Sequence, residues 1–428
     1  MKTIAAIYIA NRYWNDPKDL KYAMEDVETT FIEYVDELVF LFDNDISALI
    51  DGANKDDLIV AIPLSGAVQP SIIESEKHFK NIVIMAAYIK GVLSDKTSIL
   101  STGYNAAPTV MDSYAVLKRC NKNIKLLLSI EELKNTIKVF RAYNEVRGAR
   151  LLLIGDTEPW VVSSDRDLSV YENKFDLNIV KISKSYVVEK FNKMNEEDDG
   201  FLKIKSYFIN DNVKIVEPST SDINKALRLA AVMVDLLDEY EANGLAVACF
   251  SLIEDLDSTA CFALSYINSQ TKYVASCEGD IESMISMLAL KNIATSPLWM
   301  ANPNIQNDRT INFVHCTSPL DMDKKQNDYI LRSHHESGRG VSPEVSLPLG
   351  EIVTLFRIGN HGNQCMVQLG RTLENIKENT CRTQVKIDLE SFDSYIENSL
   401  GCHMVITYGD IKDKVKSLAE LLDLEVLV

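Results

Sequence analysis

Apolar and polar positions alternate along the first third of the chain in blocks that predict parallel βα units. The apolar runs Ile4–Ile9, Leu58–Ile62 and Asn81–Met85 have the length of buried strands, and the stretch Tyr22–Phe42 is amphipathic. Strands that alternate with helical stretches indicate a parallel sheet with helices on both faces. We therefore predict an N-terminal α/β domain over residues 1–145.

The same alternation continues in the next part of the chain. Ala149–Gly155 is an apolar run that ends in glycine, and Leu177–Val180 is a second strand-like run that precedes a helical stretch. A long amphipathic helix is predicted from about Ser221, a good N-cap, to the stop signal Asn243-Gly244. These features predict a central α/β domain over residues 146–270.

From about residue 271 the pattern changes to short alternating runs separated by Pro, Gly and Asn. Four such runs are Thr310–Cys316, Glu351–Ile358, Gln364–Leu369 and Thr383–Ile387. Short alternating runs are typical of antiparallel strands, and several in succession indicate a small barrel or sandwich. We predict a C-terminal β-rich, barrel-like domain over residues 271–428 that carries most of the site residues.

Charge and composition narrow the classes of partner. The chain has 44 basic and 62 acidic residues, a net charge of -18, which repels polyphosphate backbones and argues against a nucleic-acid partner. Apolar runs stay shorter than a membrane span, so we expect a protein without a membrane partner. The run Met1–Ala10 resembles a signal peptide, but it is short and the following Asn11–Asp16 offers no small-residue cleavage site, so it is interpreted as a buried first strand.

The eight cysteines are scattered, without a C-x-x-C pair or a regular framework. Such a distribution suits a reducing compartment, and we expect a cytoplasmic protein. The motifs H-E-x-x-H and G-x-S-x-G are both absent from the sequence. Metalloprotease and esterase chemistry are therefore weak interpretations.

A short turn that carries two carboxylates is the centre of the candidate chemistry. Tyr273–Ala275 suits a buried strand, Ile281–Leu288 has apolar residues at helical spacing, and Glu278 and Asp280 lie on the turn between them. Carboxylates at the end of a strand are well placed for a hard cation or for proton transfer. The alternative is that Asp280 only caps the helix and Glu278 is a solvated turn residue.

Five of the six histidines fall in the last third of the chain. His403 lies where a predicted strand end leads towards the final helix, and His315 lies on a predicted strand. His334, with Arg339 five residues later, lies on a glycine-rich charged segment that is either a loop over a pocket or an ordinary surface loop. Each imidazole is either a metal ligand, a general base or a hydrogen-bonded structural residue.

The order and spacing of several segments are similar to the L-fucose isomerase-like family, which is related to arabinose isomerase. The resemblance covers nearly the whole chain, and this chain looks like a short branch of the family. The matching segments are Ser101–Pro108, Ile154–Ser164, Cys261–Asn268, Ser276–Asp280, Val314–Pro319 and His403–Asp410.

The resemblance implies two Rossmann-like, doubly wound α/β domains, a C-terminal β-rich domain and a homo-oligomer, a trimer or hexamer, whose site is lined from neighbouring subunits. It implies an intramolecular oxidoreductase that interconverts aldoses and ketoses in carbohydrate metabolism with a divalent cation, usually Mn2+. Carried over by position, Asp280 takes the acid in the turn before the helix, and His403 takes the late histidine. A cation that chelates O1 and O2 of the sugar would stabilise the enediolate while a carboxylate moves the proton.

One position departs from the family pattern. Cys261 stands where the long bacterial fucose isomerases have a glutamate that serves as ligand and base. Another carboxylate, Glu278 or Glu254, is the candidate replacement. The predicted roles are therefore Glu278, Asp280 and Glu254 for catalysis and Asp280, His403 and Glu278 for the metal. The predicted substrate contacts are His315, His334, Arg339 and Cys261.

Two classes of function remain open at this point. The first is a metal-dependent ketol isomerase that acts on a small-molecule sugar. The alternative is a diverged member of the same fold, a sugar-processing enzyme of another reaction type or a carbohydrate-binding protein that kept the pocket.

Overall fold

A computed structural model of the protein describes residues 1–85, 105–120, 124–210 and 212–427. The chain divides into two compact units, Met1–Arg141 and Ala142–Val428. The predicted loop Ser101–Pro108 begins outside the described residues. The three-domain division near residues 145 and 270 stays a prediction.

A parallel sheet forms the centre of the first unit, with strand order β2-β1-β3-β4-β5. This is the order of doubly wound sheets of the flavodoxin type. All seven residues of β1 are buried, as expected of a strand covered by helices on both faces. The strands are β1 (Thr3–Ile9), β2 (Glu37–Phe42), β3 (Leu58–Pro63), β4 (Asn81–Met85) and β5 (Lys125–Leu127).

Five helices accompany this sheet among the described residues. The first begins where Asp16 accepts a hydrogen bond from the Lys18 amide and Pro17 occupies the first turn, and its buried face is Ala23, Val27 and Phe31. The helices are α1 (Pro17–Phe31), α2 (Ser47–Gly52), α3 (Gln69–His78), α4 (Ala106–Cys120) and α5 (Ile130–Val146).

The second unit opens with another parallel sheet, of order β10-β9-β6-β7. The N-cap of its long helix α9 (Thr220–Glu239) is Ser219, two residues before the predicted N-cap, because Ser219 and Asp222 form a capping box. The strands are β6 (Arg150–Ile154), β7 (Asn178–Ile182), β9 (Gly244–Val247) and β10 (Val274–Ser276). The helices are α6 (Ser169–Phe175), α7 (Lys184–Lys193), α8 (Asp199–Phe208), α9 (Thr220–Glu239), α10 (Cys249–Leu256), α11 (Cys261–Gln270) and α12 (Ile281–Lys291).

The last part of the second unit is a closed antiparallel barrel. Its strands follow the order β15-β18-β11-β12-β17-β16, and pairing between β15 and β16 closes the ring. The barrel strands are β11 (Trp299–Ile305), β12 (Ile311–His315), β15 (Ile352–Gly359), β16 (Gln364–Glu374), β17 (Thr383–Leu389) and β18 (Met404–Tyr408). Helices α13 (Phe392–Glu397) and α14 (Lys412–Leu421) follow β17 and β18. Strand β19 (Glu425–Leu427) pairs with β16, and β8 (Lys214–Ile215), β13 (Tyr329–Arg332) and β14 (Ser342–Val345) form a small separate sheet.

Helix α12 connects the parallel sheet to the barrel. Every residue from Ile281 to Leu290 is buried, and the helix packs on β9 and β10 on one side and on β15 and β18 on the other. A helix that is buried all round belongs to the interior of a large protein. The predicted fold class is confirmed, because parallel-sheet α/β units precede a C-terminal β-barrel. None of the helices in the described parts of the chain combines the length and the apolar character needed to cross a bilayer.

Candidate active site

The turn between β10 and α12 has a backbone conformation that fixes where its carboxylates point. Glu278 and Gly279 both have positive φ, 58° and 62°. A Cβ atom on Gly279 would lie 2.7 Å from the Thr157 Cα, so glycine allows the turn to pack against the loop after β6. The Gly279 amide donates to the Val247 carbonyl at 2.8 Å, which attaches the turn to the end of β9.

Asp280 is fully buried, and protein donors engage both of its carboxylate oxygens. Oδ1 accepts from the Ser164 hydroxyl at 2.7 Å and from the Ser283 amide at 3.0 Å. Oδ2 lies 3.0 Å from Arg357 Nη1 and 2.8 Å from His403 Nδ1. Burial alone would raise the pKa of Asp280, but the Arg357 charge and the His403 hydrogen bond hold this pKa well below its usual range.

The contact with Asp280 sets the orientation of the His403 ring. With Nδ1 on the carboxylate, Nε2 points the other way, where it is buried and has no hydrogen-bond partner among the described residues. Glu278 Oε1 lies 3.5 Å from this Nε2. Burial would lower the pKa of His403, but the hydrogen bond to Asp280 and the neighbouring Glu278 hold it well above its ordinary value.

His315 and Glu278 complete a group of three with His403. One ligand atom from each of the three residues lies within 4.8 Å of those of the other two. Burial, and then the charge of His403, lower the pKa of His315 to about 4, so this imidazole is neutral near pH 7. Burial would raise the pKa of Glu278, but His403 and the Trp160 indole, which donates at 2.7 Å, leave it below its usual value.

This set of donors fits a divalent cation. A neutral imidazole and a carboxylate are common ligands of divalent metals, and a second imidazole has its outward nitrogen unpartnered. The Asp280 carboxylate behind His403 supplies the outer contact that metal-binding histidines almost always make. The group is therefore compatible with a divalent cation.

A small cavity adjoins the group of three, with a volume of about 30 Å³. That volume holds one or two water-sized groups. Its lining includes Glu278 and His315, together with Phe250, His334 and Glu336. Phe250 packs edge-on against both Trp160 and His334, with ring centroids 5.1 and 5.4 Å apart.

The structure brings some of the predicted site residues together and leaves others apart. Cys261 and His334 are buried and border the same cavity as Glu278 and His315. Glu254 is exposed on α10, and Arg339 is exposed with its Nε 3.8 Å from Asp257 Oδ1. Neither of these two residues lines the cavity.

Arg357 is a residue of this region that the sequence analysis did not select. It is fully buried on β15 and contacts Asp280, Glu282 and the carbonyl of His403. Gly401 makes room for it, because a Cβ atom there would lie 2.6 Å from Arg357 Nη2. One signal was available: a single arginine within an otherwise apolar run, where an unpaired charge would be costly.

Trp160 and Glu336 were also not selected as site residues. Trp160 lies in the segment Ile154–Ser164 that carries the family resemblance, but only the folded loop shows its indole on Glu278. Glu336 is exposed at the cavity, and nothing in the local sequence distinguishes it from an ordinary surface charge.

Comparison with known proteins relates the chain to sugar isomerases. No protein-family model matches it. It is 24% identical over 207 residues to the sulfoquinovose isomerase of Clostridium sp. (strain MSTE9), an alignment that covers 45% of this chain and 46% of that enzyme. It is 21% identical over 308 residues to the sulfoquinovose isomerase of Priestia megaterium, covering 69% of this chain and 67% of the relative. The match thus spans about half the length of the first relative.

Proposed function

We propose that this protein is a sugar isomerase that interconverts an aldose and a ketose with a divalent cation held by Glu278, His315 and His403. The observation that carries the proposal is the buried group of three with His403 Nε2 unpartnered. The distant relatives named sulfoquinovose isomerase support an isomerase of sugars. The resemblance to L-fucose isomerase favours Mn2+ as the cation.

When bound, the ion would polarise the carbonyl and hydroxyl oxygens of the sugar's C1–C2 unit and stabilise negative charge on them. The isomerisation itself needs a base that removes a proton from one carbon and returns it to the other. Glu278 is suited to this task by its position, because its carboxylate borders the cavity and is unprotonated near neutral pH.

In this proposal Asp280 is a positioning residue. Its two oxygens are occupied by Ser164, Ser283, Arg357 and His403, so it holds the imidazole with Nε2 directed at Glu278. Arg357 keeps Asp280 ionised and also donates to the His403 carbonyl at 2.9 Å. The acid of the turn thus acts through His403, and Glu278 supplies the carboxylate for the cation.

The resemblance also leads us to propose a cytoplasmic homo-oligomer, a trimer or a hexamer, that acts on a small-molecule sugar without a nucleic-acid or membrane partner. Light scattering at micromolar protein concentration tests the oligomer. A monomer alone would contradict that part of the proposal.

The central experiment measures the metal and the reaction on the same preparation. Protein purified without chelator is assayed for divalent-metal content and then stripped and reloaded with Mn2+, Mg2+ or Zn2+. Sugars that include sulfoquinovose, L-fucose and L-arabinose are incubated with it in D2O, and NMR follows deuterium at C1 and C2. We expect metal bound at one ion per chain and isomerisation of at least one sugar that stops when the ion is removed.

Two results would contradict the proposal. If the wild-type protein binds no divalent metal, Glu278, His315 and His403 are not a metal site. Metal binding without isomerisation of any sugar would favour the alternative, a diverged sugar-processing or carbohydrate-binding protein that kept the pocket. The matched control is His361→Ala, since His361 is a half-exposed histidine of the barrel that pairs with Asp165 rather than with the group of three.

A further inference from the structure

Cysteines surround the candidate site. Five of the eight cysteines of the chain border the cavity, all as free thiols. They are Cys249, Cys261, Cys277, Cys316 and Cys381. The proposed isomerase reaction uses none of these thiols, so the cluster calls for a separate explanation.

Two of these thiols are in direct contact. The sulfur atoms of Cys249 and Cys277 lie 2.9 Å apart. The contact follows from topology, because Ala246 on β9 pairs with Ser276 on β10 and a cysteine follows each strand end. Cys277 follows β10 directly and Cys249 lies two residues beyond β9, so the two side chains meet at the same end of neighbouring strands. A disulfide bond is roughly 2.05 Å long, so a movement of less than about 1 Å joins the two sulfurs.

We propose that Cys249 and Cys277 form a reversible disulfide when a small oxidant such as hydrogen peroxide enters the cavity. The cavity admits a molecule of that size, and both sulfurs border it. In the first step one cysteine sulfur bonds to a peroxide oxygen, the O–O bond breaks and water leaves, which gives a sulfenic acid. In the second step the other sulfur displaces the hydroxyl as water, and the S–S bond forms. Peroxide is reduced by two electrons and the two thiols are oxidised.

The crosslink would join two segments that both reach the site. Cys277 precedes Glu278, and Cys249 precedes Phe250, which packs on Trp160 and His334. Pulling the two segments together displaces the backbone that presents Glu278. A consequence that rests on the proposed function follows: oxidised protein binds the divalent cation more weakly, by roughly the 10- to 100-fold typical of disturbed outer contacts of a metal site.

The test identifies the linked residues directly by mass spectrometry. Protein is treated with stepwise hydrogen peroxide, and free thiols are alkylated during rapid unfolding. Cleavage at Lys272 separates Cys277 from Cys249, and cleavage at Glu254 separates Cys249 from Cys261. We expect a peptide pair that joins Cys249 to Cys277 and has lost two hydrogen atoms, with exposed Cys120 as the internal reference for peroxide exposure. A dithiol reductant should separate the pair.

Variants make the assignment specific. Cys249→Ser should abolish the link, whereas Cys261→Ser, a buried thiol of the same cavity, and Cys120→Ser should retain it. The proposal is overturned if Cys277 joins Cys261 instead, or if both thiols survive peroxide that oxidises Cys120. The covalent link is measured without metal or sugar, so it stands or fails separately from the proposed isomerase. If the crosslinked protein binds the metal as tightly as the reduced protein, the disulfide forms but does not affect the metal site.

Discussion

The carboxylates and the imidazoles of the site come from two regions built in different ways. Glu278 and Asp280 lie on one turn, where positive φ angles and a helix N-cap fix both side chains within three residues. His315 and His403 lie at the ends of barrel strands β12 and β18, which are separated along the chain and brought together by sheet pairing through β11. The turn depends on local backbone geometry, and the pair of histidines depends on the register of the barrel.

Because the two regions are built differently, substitutions in them should have different effects. A substitution in the turn should alter one side chain and leave the other site residues in place. A change behind the barrel histidines should move an imidazole without removing a donor. Asp280 stands between the regions, because it caps α12 in the turn and holds His403 in the barrel.

The largest effect is expected from Glu278→Gln. The amide keeps the shape of the side chain but can neither act as a base nor carry charge, so isomerisation should fall by about 10²- to 10⁴-fold or more. Turnover measured by NMR checks this, and unfolding midpoints verify that the variant is folded. Loss of turnover in Cys261→Ser but not in Glu278→Gln would indicate a thiol-dependent reaction instead.

The second largest effect is expected on metal affinity, when one of the two barrel histidines is removed. His403→Ala should weaken divalent-metal affinity by more than the roughly 10- to 100-fold that outer-contact changes produce, because a donor is lost outright. Titration calorimetry with Mn2+ measures the affinity. His361→Ala serves as the matched control and should bind like wild type. Equal affinities in the two variants would exclude His403 as a ligand.

Asp280→Asn tests the contact between the two regions. Asn caps helices about as well as Asp, so a purely capping role predicts little change. If Asp280 orients His403, metal affinity should drop by about 10- to 100-fold. The buried Arg357 would also lose a charge partner, which typically costs about 3 kcal/mol or more of unfolding free energy. Denaturant unfolding measures the stability, and calorimetry measures the metal affinity. If both values equal those of wild type, Asp280 only caps the helix.

Metal affinity should increase with pH. The pKa of His403 is raised, so near neutral pH its ring carries a proton that the cation must displace. Affinity should therefore rise by up to about tenfold per pH unit until that pKa is reached. The same raised pKa means that the stabilising effect of protonated His403 on the metal-free fold is full below its ordinary pKa and is lost as pH rises through the folded value. Calorimetry in buffers of different ionisation enthalpy detects the released proton, and pH-independent binding would contradict the assignment.

The smallest effect is expected from Glu254→Gln. The side chain is exposed on α10 and lies outside the cavity lining, so turnover, metal affinity and stability should stay near wild type. This variant is also the matched control for Glu278→Gln, since both remove one carboxylate from the same predicted set. A large loss of turnover would show that Glu254 reaches the site in the working enzyme.

The hydrophobic pattern of the chain was enough to predict most helices and strands and part of the site. The alternation of buried strands and amphipathic helices predicted the parallel sheets, and the short alternating runs predicted the barrel, because each pattern reflects which faces must be buried. The turn at Glu278 and Asp280 was identifiable because a strand pattern there changes within a few residues to a helical one. The resemblance to a family directed attention to His403.

The contacts among these side chains are visible only in the folded protein. The sequence could not show that Arg357 pairs with Asp280 across 77 positions, or that Glu278 rather than Asp280 has an oxygen facing His403 Nε2. Nor could it place Cys249 against Cys277. Composition and periodicity report which residues are buried, whereas the partners of a buried polar group depend on strand register and helix packing, which bring distant parts of the chain into contact.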